Sequence, residues 1–236
     1  MVMRSPGARL LAAAGYAEKG KMIADIGTDH AYLPVYLVGS GISRGAVATD
    51  INRGPLERAA ANVAAAGLED RISLRLCDGL DGVEEYHPQN IFILGMGGEL
   101  IARILGESDM IKSGDVRLIL QPMTRQAAVR GFLLSGGFFI DDEILVEEDG
   151  RIYQMICAHY DGIRRTADTA AGLVGAGILN RGGDLCRRYK ERLCRELSVS
   201  AEGKRRGGAV SAAEADEALA RELAREDGFK YKYEAL

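Results

Sequence analysis

The 236-residue sequence contains no tryptophan, five prolines, three histidines and four cysteines. The cysteines do not form a CxxC pair, so we expect neither a zinc cluster nor a disulfide framework. No apolar run approaches the roughly 18–20 residues of a membrane span, and the start, MVMRSPGARLLAAAG, is too short and too interrupted for a secretory signal. These absences predict a cytoplasmic protein with no metal site and no membrane association, and no obligate protein partner is evident from the sequence.

The composition is that of an ordinary globular chain, with 47% apolar and 27% charged residues. Its net charge of −4 is unevenly distributed. Residues 1–160 carry 15 basic and 21 acidic side chains, a net −6, whereas residues 161–236 carry 15 and 13, a net +2. Within the latter, residues 181–206 carry nine basic and four acidic side chains, a net +5. Positive charge gathered in this way can bind a polyanion even on an acidic protein.

Strand-like and helix-like patterns alternate through the first two thirds of the chain. Short apolar runs predict buried strands, and helical segments lie between most of them; the strands are expected at 21–27, 45–51, 72–79, 90–98 and 117–123. Residues 138–160 resemble two strands around Glu148-Asp149-Gly150, which is a hairpin signal. This order predicts an α/β fold whose mostly parallel sheet has an antiparallel end.

The pattern changes at about residue 161. We expect no strand beyond that point and two helices, 185–197 and 212–227, separated by a polar break at 198–210. The two helices are expected to pair as an antiparallel, coiled-coil-like hairpin. The chain is therefore divided into a first domain, 1–160, and a C-terminal helical domain, 161–236.

Acidic residues and glycines follow four of the predicted strands. The turns are Asp25-Ile26-Gly27-Thr28-Asp29-His30, Asp50-Ile51, Cys77-Asp78-Gly79-Leu80 and Gly95-Met96-Gly97-Gly98. Because ligands of open α/β sheets bind outside the carboxyl ends of the strands, we expect these turns to form one site. A carboxylate after the second strand suits a ribose diol, and the absence of GxGxxG argues against a dinucleotide. The pattern predicts a nucleoside site.

The order of these segments resembles the class I S-adenosylmethionine-dependent methyltransferases, whose Rossmann-like, seven-stranded sheet ends in an antiparallel hairpin. More narrowly, six stretches resemble the bacterial tRNA (adenine-22-N1)-methyltransferase family: ADIGTDHAYLP (24–34), TDINRGPLERA (49–59), RLCDGL (75–80), GMGGELI (95–101), LILQPM (118–123) and DEILVEEDGRIY (142–153). The resemblance implies transfer of a methyl group from S-adenosylmethionine to N1 of an adenine in tRNA. A single glycine, Gly27, stands where the broader class has GxGxG.

The resemblance also implies roles for individual residues. Those expected around the cofactor are Asp25, Gly27, Thr28, Asp29 and His30 at its methionine end, Asp50 at its ribose, Ile51, Asp78, Gly79 and Leu80 around its adenine, and Gly95, Met96 and Gly97 towards the target base. Asp29 is the expected catalytic residue, because a carboxylate near the adenine N6 amino group can orient the base and stabilise the charge that develops on methylation.

The turn Gly95-Met96-Gly97-Gly98 bears on which nitrogen is methylated. Enzymes that methylate exocyclic amino groups resemble one another in having D/N-P-P-Y here, with an aromatic platform that this chain lacks. The ring nitrogen N1 carries an in-plane lone pair and attacks without prior deprotonation, so that no metal is required. The turn therefore favours a ring nitrogen as the target.

The basic C-terminal helix supplies the expected contacts to tRNA phosphates: Arg187, Arg188, Lys190 and Arg195. Its apolar stripe is expected to pack on the second helix, through Leu185, Tyr189, Leu193 and Leu197. Two alternatives remain open. A small-molecule methyltransferase would share the cofactor residues without needing a basic helix, and a non-catalytic RNA-binding protein would not bind S-adenosylmethionine.

Overall fold

The structure is a computed structural model that describes residues 6–225 and 230–236. The chain divides into two compact units after Arg164, four residues beyond the boundary expected at 160. The backbone explains the difference, because the amides of Asp161 and Gly162 donate to the carbonyl oxygen of Gly137, at 3.1 and 2.9 Å. These bonds tie the start of the connecting loop to the first unit.

The first unit contains seven strands and five α-helices among its described residues. In chain order they are α1 (Ala8–Ala14), β1 (Met22–Ile26), α2 (Tyr32–Gly39), β2 (Gly45–Asp50), α3 (Arg53–Ala66), β3 (Ile72–Leu76), β4 (Asn90–Gly97), α4 (Gly98–Gly106), β5 (Arg117–Thr124), α5 (Gln126–Gly136), β6 (Phe138–Glu148) and β7 (Arg151–Tyr160). The strand order across the sheet is β3-β2-β1-β4-β5-β7-β6.

This sheet confirms the predicted architecture. Strands β3, β2, β1, β4 and β5 run parallel, and β7 pairs antiparallel with both β5 and β6. The central strands carry continuous apolar runs whose successive side chains point to opposite faces and are nevertheless buried, such as Ile91, Phe92 and Ile93. Both faces are therefore covered, as parallel sheets require, and the carboxyl ends of the parallel strands share one edge.

The C-terminal unit corrects three expectations, and the first is the number of helices, because two short helices precede the two that were expected. Its elements are β8 (Arg165–Ala167), α6 (Thr169–Val174), α7 (Ala176–Arg181), α8 (Gly183–Arg206), α9 (Val210–Leu223) and β9 (Tyr233–Ala235). The expectation of no strand after 161 is wrong, because β8 and β9 pair antiparallel; runs of three residues are too short to leave an apolar pattern. The expected break at 198–210 is also wrong, since α8 continues to Arg206. Residues 226 and 227 of the predicted second helix lie outside the described residues.

Helices α8 and α9 pair as the expected antiparallel hairpin. Near the ends of the pair Lys204 Nζ lies 2.7 Å from Asp216 Oδ2, and further along Cys194 Sγ lies 3.5 Å from the carbonyl oxygen of Ala220. The side chains of α8 that are buried are Cys186, Tyr189, Leu193 and Ala201. Leu185 and Leu197 of the expected stripe are only partly buried, so the seam follows a mixed three- and four-residue spacing.

Candidate active site

The parallel register brings the four predicted turns to one edge of the sheet. Strands β3, β2, β1 and β4 are consecutive neighbours. The turn after β1 is fastened to β2, because the amides of Gly27 and Thr28 both donate to the carbonyl oxygen of Thr49, at 2.8 and 2.7 Å. The turns after β1 and β4 also touch: Gly27 has a φ of +76°, and a Cβ on it would overlap the methyl group of Met96.

Asp25 lies on β1 next to the turn and is buried. Burial raises its carboxyl pKa from 3.8 to about 6, and a hydrogen bond with the Thr28 side chain opposes part of that rise. Thr28 Oγ1 also accepts from the amide of Ala31, at 3.1 Å, immediately before α2. Asp25 and Thr28 thus stabilise the turn from its buried side. Because its pKa is raised, Asp25 also keeps a proton more readily than an exposed carboxyl group does.

Asp29 stands further out, with 63% of its side chain exposed. Arg58 Nη2, from α3, donates to Asp29 Oδ1, and His30 Nε2 lies 3.4 Å from Oδ2. The bond from Arg58, together with the charges of His30 and Arg58, lowers the pKa of Asp29. The His30 ring in turn stacks on Tyr32, with ring centres 5.0 Å apart. The edge therefore presents an ionised carboxylate held in place by a cation.

The ends of β2 and β3 combine a carboxylate with exposed apolar side chains. Asp50 is partly exposed, and its Oδ1 accepts from the amide of Asn52 at 2.7 Å. Ile51 is 62% exposed, and Leu76, which pairs with Asp50 in the sheet register, is 46% exposed. Two exposed apolar side chains beside a carboxylate match the needs of a nucleoside, whose base requires an apolar contact and whose ribose requires acceptors.

Asp78 and Gly79 follow β3. Arg103 of α4 binds both carboxylate oxygens of Asp78. Gly79 has a φ of +56°, and a Cβ on it would lie 3.0 Å from Ile104 Cγ2. Leu80 is buried, so the residue expected beside an adenine supports the turn from the interior.

Gly95, Met96 and Gly97 end β4, and Gly98 begins α4. Gly95 is exposed, with a φ of +80°. A Cβ on Gly98 would overlap the carbonyl oxygen of Arg125 and lie 2.8 Å from that of Thr124. The turn is thus packed directly against the corner between β5 and α5, and small residues are required for that approach.

Two of the arginines at this edge that the sequence analysis missed hold carboxylates of the predicted turns. Arg58 and Arg103 reach Asp29 and Asp78 from helices that follow β2 and β4. Arg58 lies inside a stretch that carried the family resemblance, but nothing in its spacing marked it as a partner of Asp29. In residues 6–225 and 230–236, no group of three or more His, Cys, Asp or Glu is arranged to hold a metal ion.

The four predicted phosphate-binding residues all lie on α8. Arg187 is paired with Asp184 and Glu191 of the same helix, at 2.6 and 2.7 Å, and Lys190 Nζ donates to the carbonyl oxygen of Arg225 at 3.2 Å. Arg188 lies 3.8 Å from Asp184.

Arg195 forms no ion pair with a residue that the structure describes. Together with Arg187, Lys190 and Arg225 it lines an open groove of about 970 Å³ beside the end of α9. The sequence analysis did not anticipate Arg225.

Among all the helices of the described chain, none is long and apolar enough to span a membrane.

Comparison with known proteins agrees with this geometry. A family model described as "Methyltransferase domain" matches residues 7–156. The tRNA (adenine(22)-N(1))-methyltransferase of Bacillus subtilis is 39% identical over 171 residues, which are 70% of this chain and 72% of the relative.

Solved structures agree over a longer span. The Bacillus subtilis tRNA methyltransferase TrmK superposes with a TM-score of 0.85 at 30% identity, covering 94% of this chain and 99% of its own. Streptococcus pneumoniae Sp1610, solved in complex with S-adenosyl-L-methionine, superposes with a TM-score of 0.82 at 31% identity, covering 92% and 98%.

The sheet order and the four turns define a class I S-adenosylmethionine-dependent methyltransferase. Within that class, the identity and coverage of the Bacillus relative decide the narrower assignment. The chain belongs to the tRNA (adenine-22-N1)-methyltransferase family. The resemblance noted in the sequence is confirmed.

Proposed function

We propose that this protein transfers the methyl group of S-adenosylmethionine to N1 of adenine 22 in tRNA, with the cofactor held along the carboxyl edge of β1–β4. Of the three classes left open by the sequence, family membership favours the RNA methyltransferase. When bound, the cofactor supplies a methyl group already activated on a sulfonium. The protein's task is then to align that methyl group with N1 and to stabilise the charge that forms on the base.

The cofactor residues fit this assignment by their chemistry. The unshared lone pairs of the Asp50 carboxylate can accept from the two ribose hydroxyl groups, and Ile51 and Leu76 offer exposed apolar surface to an adenine ring. Asp78, oriented by Arg103, can accept from the adenine amino group. Asp25, Gly27, Thr28 and His30 form the turn assigned to the methionine end, whose ammonium group is complementary to a carboxylate.

The contact between Met96 and Gly27 is the observation that carries the catalytic part of the proposal. It brings the turn after β4, assigned to the target base, against the turn after β1, which bears Asp29 two residues later. Since Arg58 and His30 keep Asp29 ionised, it can accept a hydrogen bond from N6 and stabilise positive charge at the adjacent N1. Gly95 and Gly97, which have no side chain, leave room for the base beside Asp29.

For the tRNA backbone we propose Arg187, Arg188, Lys190 and Arg195 of α8. Arg187 and Arg188 form ion pairs with Asp184 at the helix surface, where such pairs are weak enough for a polyanion to compete. A paired adenine must be unstacked to reach the carboxyl edge of the sheet. A tRNA substrate implies that the reaction takes place in the cytoplasm. The proposed reaction requires no protein partner.

A labelling experiment tests the proposal directly. The full chain is incubated with unmodified tRNA and methyl-labelled S-adenosylmethionine, and the labelled nucleoside is then mapped. We expect 1-methyladenosine at position 22, and no label in a matched tRNA with guanosine at that position. Label in another nucleoside, or equal label in both tRNAs, would refute the assignment.

A further inference from the structure

Arg9 of α1 lies near the carboxyl edge of the sheet, where the active site is proposed. The sequence analysis assigned no role to this residue. Its Nη1 donates to Gln121 Oε1 at 2.7 Å, its Nε lies 3.5 Å from Glu148 Oε2, and its Cζ lies 5.5 Å from the centre of the Tyr153 ring. These partners belong to β5, β6 and β7. The guanidinium is thus held by the half of the sheet that carries none of the proposed cofactor residues.

The position of Arg9 relative to Gly95 shows which space it serves. A Cβ built on Gly95 would have Arg9 Nη1 as its nearest neighbour, at 3.7 Å. The guanidinium therefore stands beside the space that a side chain at position 95 would occupy, next to the turn assigned to the target base. The Arg9 side chain is 26% exposed, so it is not sealed in the interior.

The surroundings of Arg9 fix its direction. Gln121 Nε2 donates to Met123 Sδ at 3.3 Å, which leaves Gln121 Oε1 turned towards the guanidinium. Glu148 holds the same residue through its backbone, since Oε1 accepts from the Arg9 amide at 3.1 Å. An arginine side chain carries five N–H donors, and among the described residues none accepts from Nη2 of Arg9. That end is available to a ligand.

We propose that Arg9 is a substrate-positioning residue, whose guanidinium donates to a hydrogen-bond acceptor of the target nucleotide. The inference rests on the proposed function. Asp29 accepts from N6 on the β1 side of the turn, whereas Arg9 supplies a donor on the β5 side. An adenosine nucleotide whose N1 faces the methyl group also has ribose oxygens, but we assign Arg9 to one of three acceptors only: N3, N7 or a phosphate oxygen on the 5′ side. Two opposite hydrogen-bonding groups would then fix the orientation of the base.

The test compares wild type with Arg9→Gln in steady-state methylation of tRNA. We expect kcat/KM for tRNA to fall by about tenfold or more, as for loss of a hydrogen bond from a charged donor, while the Kd for S-adenosylmethionine stays within about twofold. Glu148→Gln is the matched control, because it removes the charge partner but leaves the guanidinium in place. It should lower kcat/KM less than Arg9→Gln.

Three modified substrates separate the acceptors and distinguish contact from support. They carry 7-deazaadenosine at the target, 3-deazaadenosine at the target, or a methylphosphonate at its 5′ side. If Arg9 contacts one of these groups, the ratio of wild-type to Arg9→Gln activity falls towards one on that substrate alone. Two outcomes overturn the inference. Either the activity ratio of wild type to Arg9→Gln is the same on all three modified substrates as on unmodified tRNA, or that ratio is already near one on unmodified tRNA.

Two further comparisons separate a failure to fold, or a failure of the proposed function, from a failure of this inference. If Arg9→Gln does not fold, as judged by thermal denaturation, Arg9→Lys carries the same ratio test, because it retains the charge opposite Glu148. Failure of wild type to methylate tRNA would count against the proposed function, whereas an active wild type with indifferent Arg9 variants would count against this inference alone.

Discussion

Arg103 binds the carboxylate of Asp78 with both terminal nitrogens, Nη2 lying 3.1 Å from Oδ1 and Nη1 lying 3.3 Å from Oδ2. The same Nη1 also donates to Glu107, immediately after the end of α4, at 2.9 Å. Both members of the pair are about half exposed, so the bridge adds little to stability. Its main effect is to fix the direction in which Asp78 presents its unshared lone pairs.

Replacing Arg103 with methionine should therefore weaken cofactor binding more than it weakens the fold. We expect the Kd for S-adenosylmethionine to rise by about three- to tenfold, because the Asp78 carboxylate becomes free to rotate. Isothermal titration calorimetry measures this change, and Glu107→Gln is the control, since it removes the other partner of Arg103. An unchanged Kd in the folded Arg103→Met protein would contradict the orienting role.

Asp50→Ala should reduce affinity for S-adenosylmethionine by about 1–3 kcal/mol, the contribution of hydrogen bonds to a charged group. Asp50→Asn keeps one carbonyl acceptor for the ribose and should lose less. Calorimetry on both variants tests the placement of the ribose at the end of β2. Equal affinity in wild type and Asp50→Ala would show that the ribose lies elsewhere.

Asp29→Ala should lower the rate of methyl transfer far more than it lowers cofactor affinity, because the role proposed for Asp29 grows as charge develops on the base. Single-turnover rates within about threefold of wild type, roughly 0.65 kcal/mol in the barrier, would make Asp29 merely structural.

Arg58→Gln gives a pH signature for the same site. Arg58 lowers the pKa of Asp29, so its removal should raise that pKa and move the acid limb of the rate profile to higher pH. A profile that does not move would mean that ionisation of Asp29 does not limit the reaction.

The buried carboxyl group of Asp25 should make stability depend on pH. Its folded-state pKa of about 6 exceeds the ordinary 3.8, so between these values the folded state retains a proton that the unfolded state has lost. Stability therefore falls as pH rises from about 4 to about 6, by at most about 3 kcal/mol. Urea denaturation of the cofactor-free protein should show that Asp25→Asn gains stability relative to wild type across this window. An equal difference at pH 4.5 and 7.5 would contradict it.

Replacing Arg187, Arg188, Lys190 and Arg195 with glutamine should flatten the salt dependence of tRNA binding, because fewer phosphates are neutralised and fewer counterions released. The α8 helix should remain folded by circular dichroism. Lys204→Gln with Arg205→Gln is the matched control, since those side chains are paired with Asp216 and Glu217 of α9. A salt slope equal to wild type in the fourfold variant would exclude these residues as phosphate contacts.

The sheet was predictable from the sequence because its signals are local. A buried parallel strand is a run of adjacent apolar residues, and the turn that follows contributes its own Asp or Gly. The arginines of the site leave no such signal: Arg58 is 29 residues from Asp29, and Arg9 is 112 residues from Gln121. Long side chains that reach across helices depend on packing geometry, which single-sequence patterns do not encode. Strand β9 was missed for a related reason, since its partner β8 lies at the other end of the unit.

The close packing of Gly98 against the corner after β5 has a consequence for protein engineering. A tyrosine there would drive its Cβ into the carbonyl oxygens of Thr124 and Arg125, and a proline at 97 or an asparagine at 95 would leave that obstacle in place. Grafting the tetrapeptide typical of amino-group methyltransferases onto this scaffold should therefore fail unless the following strand and helix are rebuilt with it. The backbone around position 98 therefore excludes that tetrapeptide, and point substitution in the turn is not a route to it.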